Sequence, residues 1–349
     1  MKRLLVLLFA VFMIIPMAVS AGGYELVLVT DLGTIDDKSF NQGAWDGMKA
    51  YAEEHSISYK YYQPTEKSTV AYLTAIELAV KGGAKVVVAP GFLFEEAVFI
   101  AQKSYPNVHF ILVDSIPGKD GEYFTAGNTV GVTYAEQEAG FLAGYAAVKE
   151  GMTKLGFMGG MAVPAVIRFG HGFVQGADYA ANELGLKSVS IKYHYTGGFD
   201  ANPEVQTLAA SWYQSGVEVV FGCGGAVGNS VMAAAEATKN GKVIGVDIDQ
   251  SVESTTVITS AMKSLSSSVY KLVEQHYAGS FPGGQNLVFD AANGGVMLPI
   301  KTSKFNSFGQ SDYDKIYGIL AKGGIKVDSN LEINADKLKT KVVSVQLVL

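Results

Sequence analysis

Two aspartates hold matched places in this chain. Asp114 is the next-to-last residue of the segment GGAKVVVAPGFLFEEAVFIAQKSYPNVHFILVDS, and Asp247 occupies the matching point of SGVEVVFGCGGAVGNSVMAAAEATKNGKVIGVDID. The segments align without a gap, and the spacings Gly83 to Asp114 and Gly216 to Asp247 are both 31 positions. Each carboxylate directly follows an apolar run. An ionised carboxylate offers only acceptors, and its two oxygens can take both hydroxyls of a vicinal diol or the N–H donors of a ring. Two facing carboxylates could also work as an acid/base pair, as in glycoside hydrolysis. Either aspartate alone could simply cap a helix. The symmetry of the pair favours a ligand.

Other residues have the character of a cleft wall. Phe40 stands between Ser39 and Asn41 in the stretch DLGTIDDKSFNQGAWDGM, and Phe199 ends the run Gly197-Gly198-Phe199 before Asp200. An aromatic among polar residues or glycines suits a planar partner, and offset stacking contributes about 0.5–1.5 kcal/mol beyond buried area; burial beneath a loop is the alternative. The string GCGGAVG misses the dinucleotide-binding spacing G-x-G-x-x-G, because Val227 replaces the third glycine. Close backbone approach to a polar ligand is the reading for Gly224 and Gly225. Asp31 follows a strand, whereas Asp36 and Asp37 suit the first turn of a helix better than a calcium loop. The five histidines show no metal-ligand spacing, no G-x-S-x-G elbow is present, and Cys223 is expected to be an inert buried thiol. No cofactor or metal is expected.

The elements that must position these residues follow from the hydrophobic pattern. Apolar runs at 26–29, 58–62, 85–89, 109–113, 154–158, 188–193, 217–221 and 243–246 alternate with helical stretches at 43–54, 69–81, 134–149, 172–184, 203–214 and 228–239. That alternation predicts an α/β chain with parallel sheets buried on both faces. Phe40, Gly43 and Gly47 match Phe169, Gly172 and Gly176 in spacing, so the repeat extends upstream of the aspartates. The expectation is two similar doubly wound lobes joined by a hinge. Residues 24–128 form the first lobe, with part of 262–349, and residues 129–255 the second. A crossing strand is expected at 255–260 and a helix at 262–278; beyond Gly283 no element is assigned. In such sheets ligands lie beyond the carboxyl ends of the strands.

Composition narrows the function classes. Lys2 and Arg3 precede the uncharged run Leu4–Val19, followed by Ser20 and Ala21. This is the pattern of a secretory signal peptide, with cleavage expected after Ser20 or Ala21 and a periplasmic or secreted product. Sixteen residues broken by Pro16 fall short of the ~20 that span a bilayer. The sole cysteine, Cys223, is far from the cleavage point, so neither lipid attachment there nor an intrachain disulfide is expected. Without Lys2 and Arg3 the chain carries 25 basic against 33 acidic side chains, a net charge of −8, and one arginine, Arg168. Nucleic-acid binding, which needs clustered basic residues, is excluded on that ground.

The stretches DLGTIDDKSFNQGAWDGM, GGMAVPAVIRFGHGFVQGA, VIGVDIDQS and ITSAMKS together resemble the basic membrane protein family, nucleoside-binding proteins of the purine nucleoside receptor A type. The resemblance implies a type I periplasmic binding protein, a monomer that captures purine nucleosides for an ABC permease and is not an enzyme. It implies a base stacked between Phe40 and Phe199, with Asn41 and Asp114 on the base edge. It also implies that Asp247, Lys263 and the backbone at Gly224 hold the ribose, with Asp31 and Ser39 lining the pocket. Many family members are lipoproteins, from which this chain departs. Some bind other ligands, so a flavin, sugar or autoinducer receptor is the alternative. A nucleoside hydrolase is a further alternative, opposed by the lack of an accompanying aspartate cluster or histidine acid.

Overall fold

The computed structural model describes residues 23–31 and 33–348; the expected signal peptide and its cleavage point lie outside them. Apart from a two-stranded hairpin of Gly118–Lys119 with Glu122–Tyr123, five strands open the chain: β1 (Leu26–Val29), β2 (Tyr59–Tyr62), β3 (Val86–Pro90), β4 (His109–Val113) and β5 (Thr129–Tyr134). Five more follow: β6 (Lys154–Gly159), β7 (Val189–Tyr195), β8 (Val219–Cys223), β9 (Lys242–Asp247) and β10 (Val257–Lys263). Strands β11 (Gln285–Phe289), β12 (Val296–Met297) and β13 (Val343–Leu347) come last. The first sheet runs β11-β5-β4-β3-β1-β2 and the second β12-β10-β9-β8-β6-β7-β13. Within each lobe the order is that of a doubly wound 2-1-3-4-5 sheet. All pairings in these two sheets are parallel except β10 with β12. Strands β1 and β3 are buried throughout, as expected where helices cover both faces.

The helices are α1 (Phe40–Glu54), α2 (Thr69–Lys81), α3 (Glu95–Ser104), α4 (Glu136–Lys149), α5 (Pro164–Glu183), α6 (Pro203–Gln214), α7 (Val227–Glu236), α8 (Leu265–Tyr277) and α9 (Gln310–Ala321). The internal repeat is visible in their packing. Gly43 and Gly47 let α1 lie on α8, because a Cβ at Gly47 would overlap the Ser266 carbonyl. Gly172 and Gly176 let α5 lie on α4, where a Cβ would overlap the Gln137 and Phe141 carbonyls.

Three boundaries differ from the sequence reading. Strand β5 (Thr129–Tyr134) pairs with β4, so the chain stays in the first sheet past residue 128. The crossing strand begins later and runs longer, to Lys263, because Ser-Ala-Met-Lys continues the β9 pairing through Met262. Helix α8 and strand β11 then return to the first lobe, α8 against α1 and β11 against β5, before β12 joins the second sheet. The polypeptide thus passes between the lobes at β5–α4, β10–α8 and β11–β12. Among the described residues no helix is long and apolar enough to cross a membrane.

Candidate functional site

The matched aspartates share a backbone geometry. Asp114 follows β4 with φ +65°, and Asp247 ends β9 with φ +67°. Left-handed backbone at a non-glycine residue costs on the order of 1–3 kcal/mol and collects at functional sites. The repeat extends to two glycines, Gly91 at φ +115° after β3 and Gly224 at φ +126° after β8. Each supports an aromatic ring. A Cβ at Gly91 would lie 3.8 Å from the Phe40 ring, and one at Gly224 3.1 Å from the Phe199 ring.

Lys263, at the end of β10, joins the two carboxylates across the lobes. Its Nζ donates to Asp114 Oδ2 at 2.6 Å and lies 3.1 Å from Asp247 Oδ1. Asp247 Oδ2 in turn accepts the Ser39 hydroxyl at 2.6 Å. The rings of Phe40, Phe169 and Tyr134 surround the ammonium at 4.5, 5.4 and 5.5 Å. Burial would lower the Lys263 pKa, but Asp114, Asp247 and Glu136 outweigh it and hold the ammonium above its ordinary range. Burial also lifts the Asp114 carboxyl to about 7 against the pull of Lys263, with Glu136 and Asp247 adding to the rise. Glu136, fully buried, takes Arg168 Nε at 2.6 Å. The arginine offsets Glu136, leaving two buried aspartates against one lysine.

The amino-terminal approach to α1 forms the facing wall. Asp37 accepts the backbone N–H groups of Ser39, Asn41 and Gln42 at 2.8, 2.9 and 3.1 Å, fixing the first turn. Burial lifts its carboxyl to about 6. This explains why the helix starts at Phe40, ahead of the apolar periodicity at Gly43. Asp31 Oδ1 accepts Gly33 N–H at 2.7 Å and Asn41 Nδ2 at 3.3 Å.

These walls enclose a cleft whose empty space, out to its solvent mouth, is about 910 Å³. Asp31, Phe40, Asn41, Asp114, Phe199, Gly224, Asp247 and Lys263 all line it. Ser39 does not: it is fully buried behind the wall, with its hydroxyl spent on Asp247. Cys223 is buried and also lines the cleft, and burial pushes its thiol well above the ordinary range. Phe92, Val163, Val166 and Phe169 complete an apolar lining that the sequence reading left out of the site. Phe169 had a signal, since it is the repeat partner of Phe40. The Glu136–Arg168 pair had one too, in the solitary arginine of an acidic chain. Among the described residues, no three His, Cys, Asp or Glu side chains gather as a metal site.

The family model described as ABC transporter substrate-binding protein, PnrA-like (Bmp), matches residues 24–332. The chain belongs to this family. Bmp proteins are solute-binding components of ABC transporters, not enzymes as a family. One similar protein is the ABC transporter nucleoside-binding protein BmpA of Lactococcus lactis, 33% identical over 296 residues, covering 78% of this chain and 81% of the relative. Basic membrane protein A of Borreliella burgdorferi is 29% identical, covering 88% of each chain. Among solved structures, an ABC transporter solute-binding protein from Aeropyrum pernix superposes with a TM-score of 0.70 at 24% identity, covering 88% of each chain. At that identity the likeness speaks for the two-lobed fold.

Proposed function

We propose that this Bmp protein captures purine nucleosides in the inter-lobe cleft and hands them to a membrane permease, acting as an exported monomer. The observation that carries the reading is the pairing of two rings on matched glycines with a buried lysine held between matched aspartates. Phe40 and Phe199 offer faces to a base, one from each lobe. Asn41 and Asp114 take the base edge. Asp247, Lys263 and the backbone at Gly224 take the ribose, which both donates and accepts. Asp31 acts on Asn41 from within the cleft wall, and Ser39 acts on Asp247 from behind it. The nucleoside-binding name of the Lactococcus lactis relative supports the ligand class.

Lobe closure around such a ligand sequesters it and creates the surface a permease would engage. Mass spectrometry of material released from the denatured purified protein tests the ligand, and titration calorimetry with guanosine, inosine and adenosine tests affinity. A purine nucleoside bound without turnover is the expected result. Free hypoxanthine released from inosine would favour a hydrolase, and absence of heat with every nucleoside would remove the reading.

A further inference from the structure

Two buried acceptors in the cleft wall have no partner among the described residues: Asn41 Oδ1 and Asp114 Oδ1. A buried polar atom left unpaired costs about 1–3 kcal/mol, so a ligand that donates to both is favoured over one that cannot. Which end of the Asn41 amide remains free depends on Asp31. The Asp31 Oδ1 takes Asn41 Nδ2, and the opposite orientation of the amide would set two oxygens against each other at 3.3 Å. The contact has a built-in clearance. A Cβ at Gly33 would lie 2.5 Å from Asn41 Nδ2 and 2.9 Å from Asp31 Oδ1, so only glycine admits the clamp.

We infer that Asp31 is a positioning residue that sets base selectivity: it commits the Asn41 amide so that, with Asp114, the edge reader consists of two acceptors matched to a base with adjacent N–H donors. Guanine presents N1–H beside its 2-amino group. Hypoxanthine presents N1–H alone. Adenine presents a single amino group flanked by N1 and N7, whose lone pairs would face oxygen. The inference rests on the nucleoside reading above and refines it to 6-oxopurine nucleosides, guanosine foremost.

Calorimetry of the full chain at pH 8 with guanosine, inosine and adenosine provides the first test, and it needs no variant. The expected order is guanosine, then inosine, then adenosine, with guanosine at least about tenfold tighter than adenosine. Adenosine binding as tightly as guanosine overturns the inference and leaves the nucleoside reading standing. Asp31→Asn provides the second test, because its amide can donate to Asn41 and let that side chain turn. The guanosine-to-adenosine ratio should then fall to within about threefold, one hydrogen bond's worth being removed. Gly33→Ala, which intrudes on the same contact, should move the ratio in the same direction. A folded Asp31→Asn protein that keeps the wild-type ratio overturns the role of Asp31, since a merely structural role changes all affinities together. A folded wild-type protein that binds no nucleoside overturns both readings at once.

Discussion

Asp114 couples binding to pH, because Lys263 stays charged through neutrality while Asp114 does not. Burial lifts Asp114 to about 7, so in the empty protein its contribution to stability is fullest below the ordinary carboxylate range and fades as the pH rises through 7. A base that donates N–H needs the ionised form. Affinity should therefore fall as the pH drops from 8 to 5.5, by up to about tenfold per unit below 7, and calorimetry across that range checks it. Asp114→Asn should flatten the profile as well as weaken binding. Lys263 is the more dangerous residue to remove. Lys263→Ala leaves Asp114 and Asp247 buried without their shared cation, and denaturant unfolding should register a loss of about 3–5 kcal/mol. The paired aspartates were legible because their repeat leaves a sequence spacing. The lysine's place between them was not, since its strand could be read as the start of a helix, where a lysine is an ordinary solvated charge.

At the scale of elements, the two helix crossings depend on what is missing from them. Gly172 and Gly176 bring α5 against α4 so closely that a side chain meets main-chain carbonyl oxygens, which cannot rotate away. Gly176→Ala should cost about 1–3 kcal/mol in thermal or denaturant unfolding, more than an alanine placed at an exposed helix position. Measured stability unchanged by that substitution would mean the helices can separate freely. The same crossings show which parts of the fold a sequence can reveal. Parallel strands buried on both faces announce themselves as unbroken apolar runs, and so β1, β3, β4, β8 and β9 stood out. Strands β11, β12 and β13 are five, two and five residues long and lie at sheet edges with partly exposed patterns. Their apolar runs reach three residues at most, at Leu287–Phe289, too short for the pattern alone to mark a buried strand.

For the whole molecule, the lobes are held together by contacts that ligand-free opening must break. Gln250 Nε2 donates across the lobes to the Lys38 carbonyl at 2.6 Å, while Gln250 Oε1 accepts Val246 N–H. Lys38 also reaches Glu253 at 2.8 Å, but this pair is partly exposed and worth little, about 0.2–1 kcal/mol. Gln250→Ala should raise the ligand off-rate severalfold in stopped-flow displacement, whereas Glu253→Gln should change it by less than about fivefold, with most of that change vanishing at high salt. A larger effect from Glu253 than from Gln250 would reverse this ranking of the latch contacts. Cys223 gives the closure an internal gauge. The chain's one thiol forms part of the cleft wall and is 1% exposed, so a thiol-reactive reagent can reach it only through the opened mouth. Its labelling rate then becomes a clock for lobe separation, running slowly under saturating nucleoside and faster once the ligand is dialysed away, with no engineered label required.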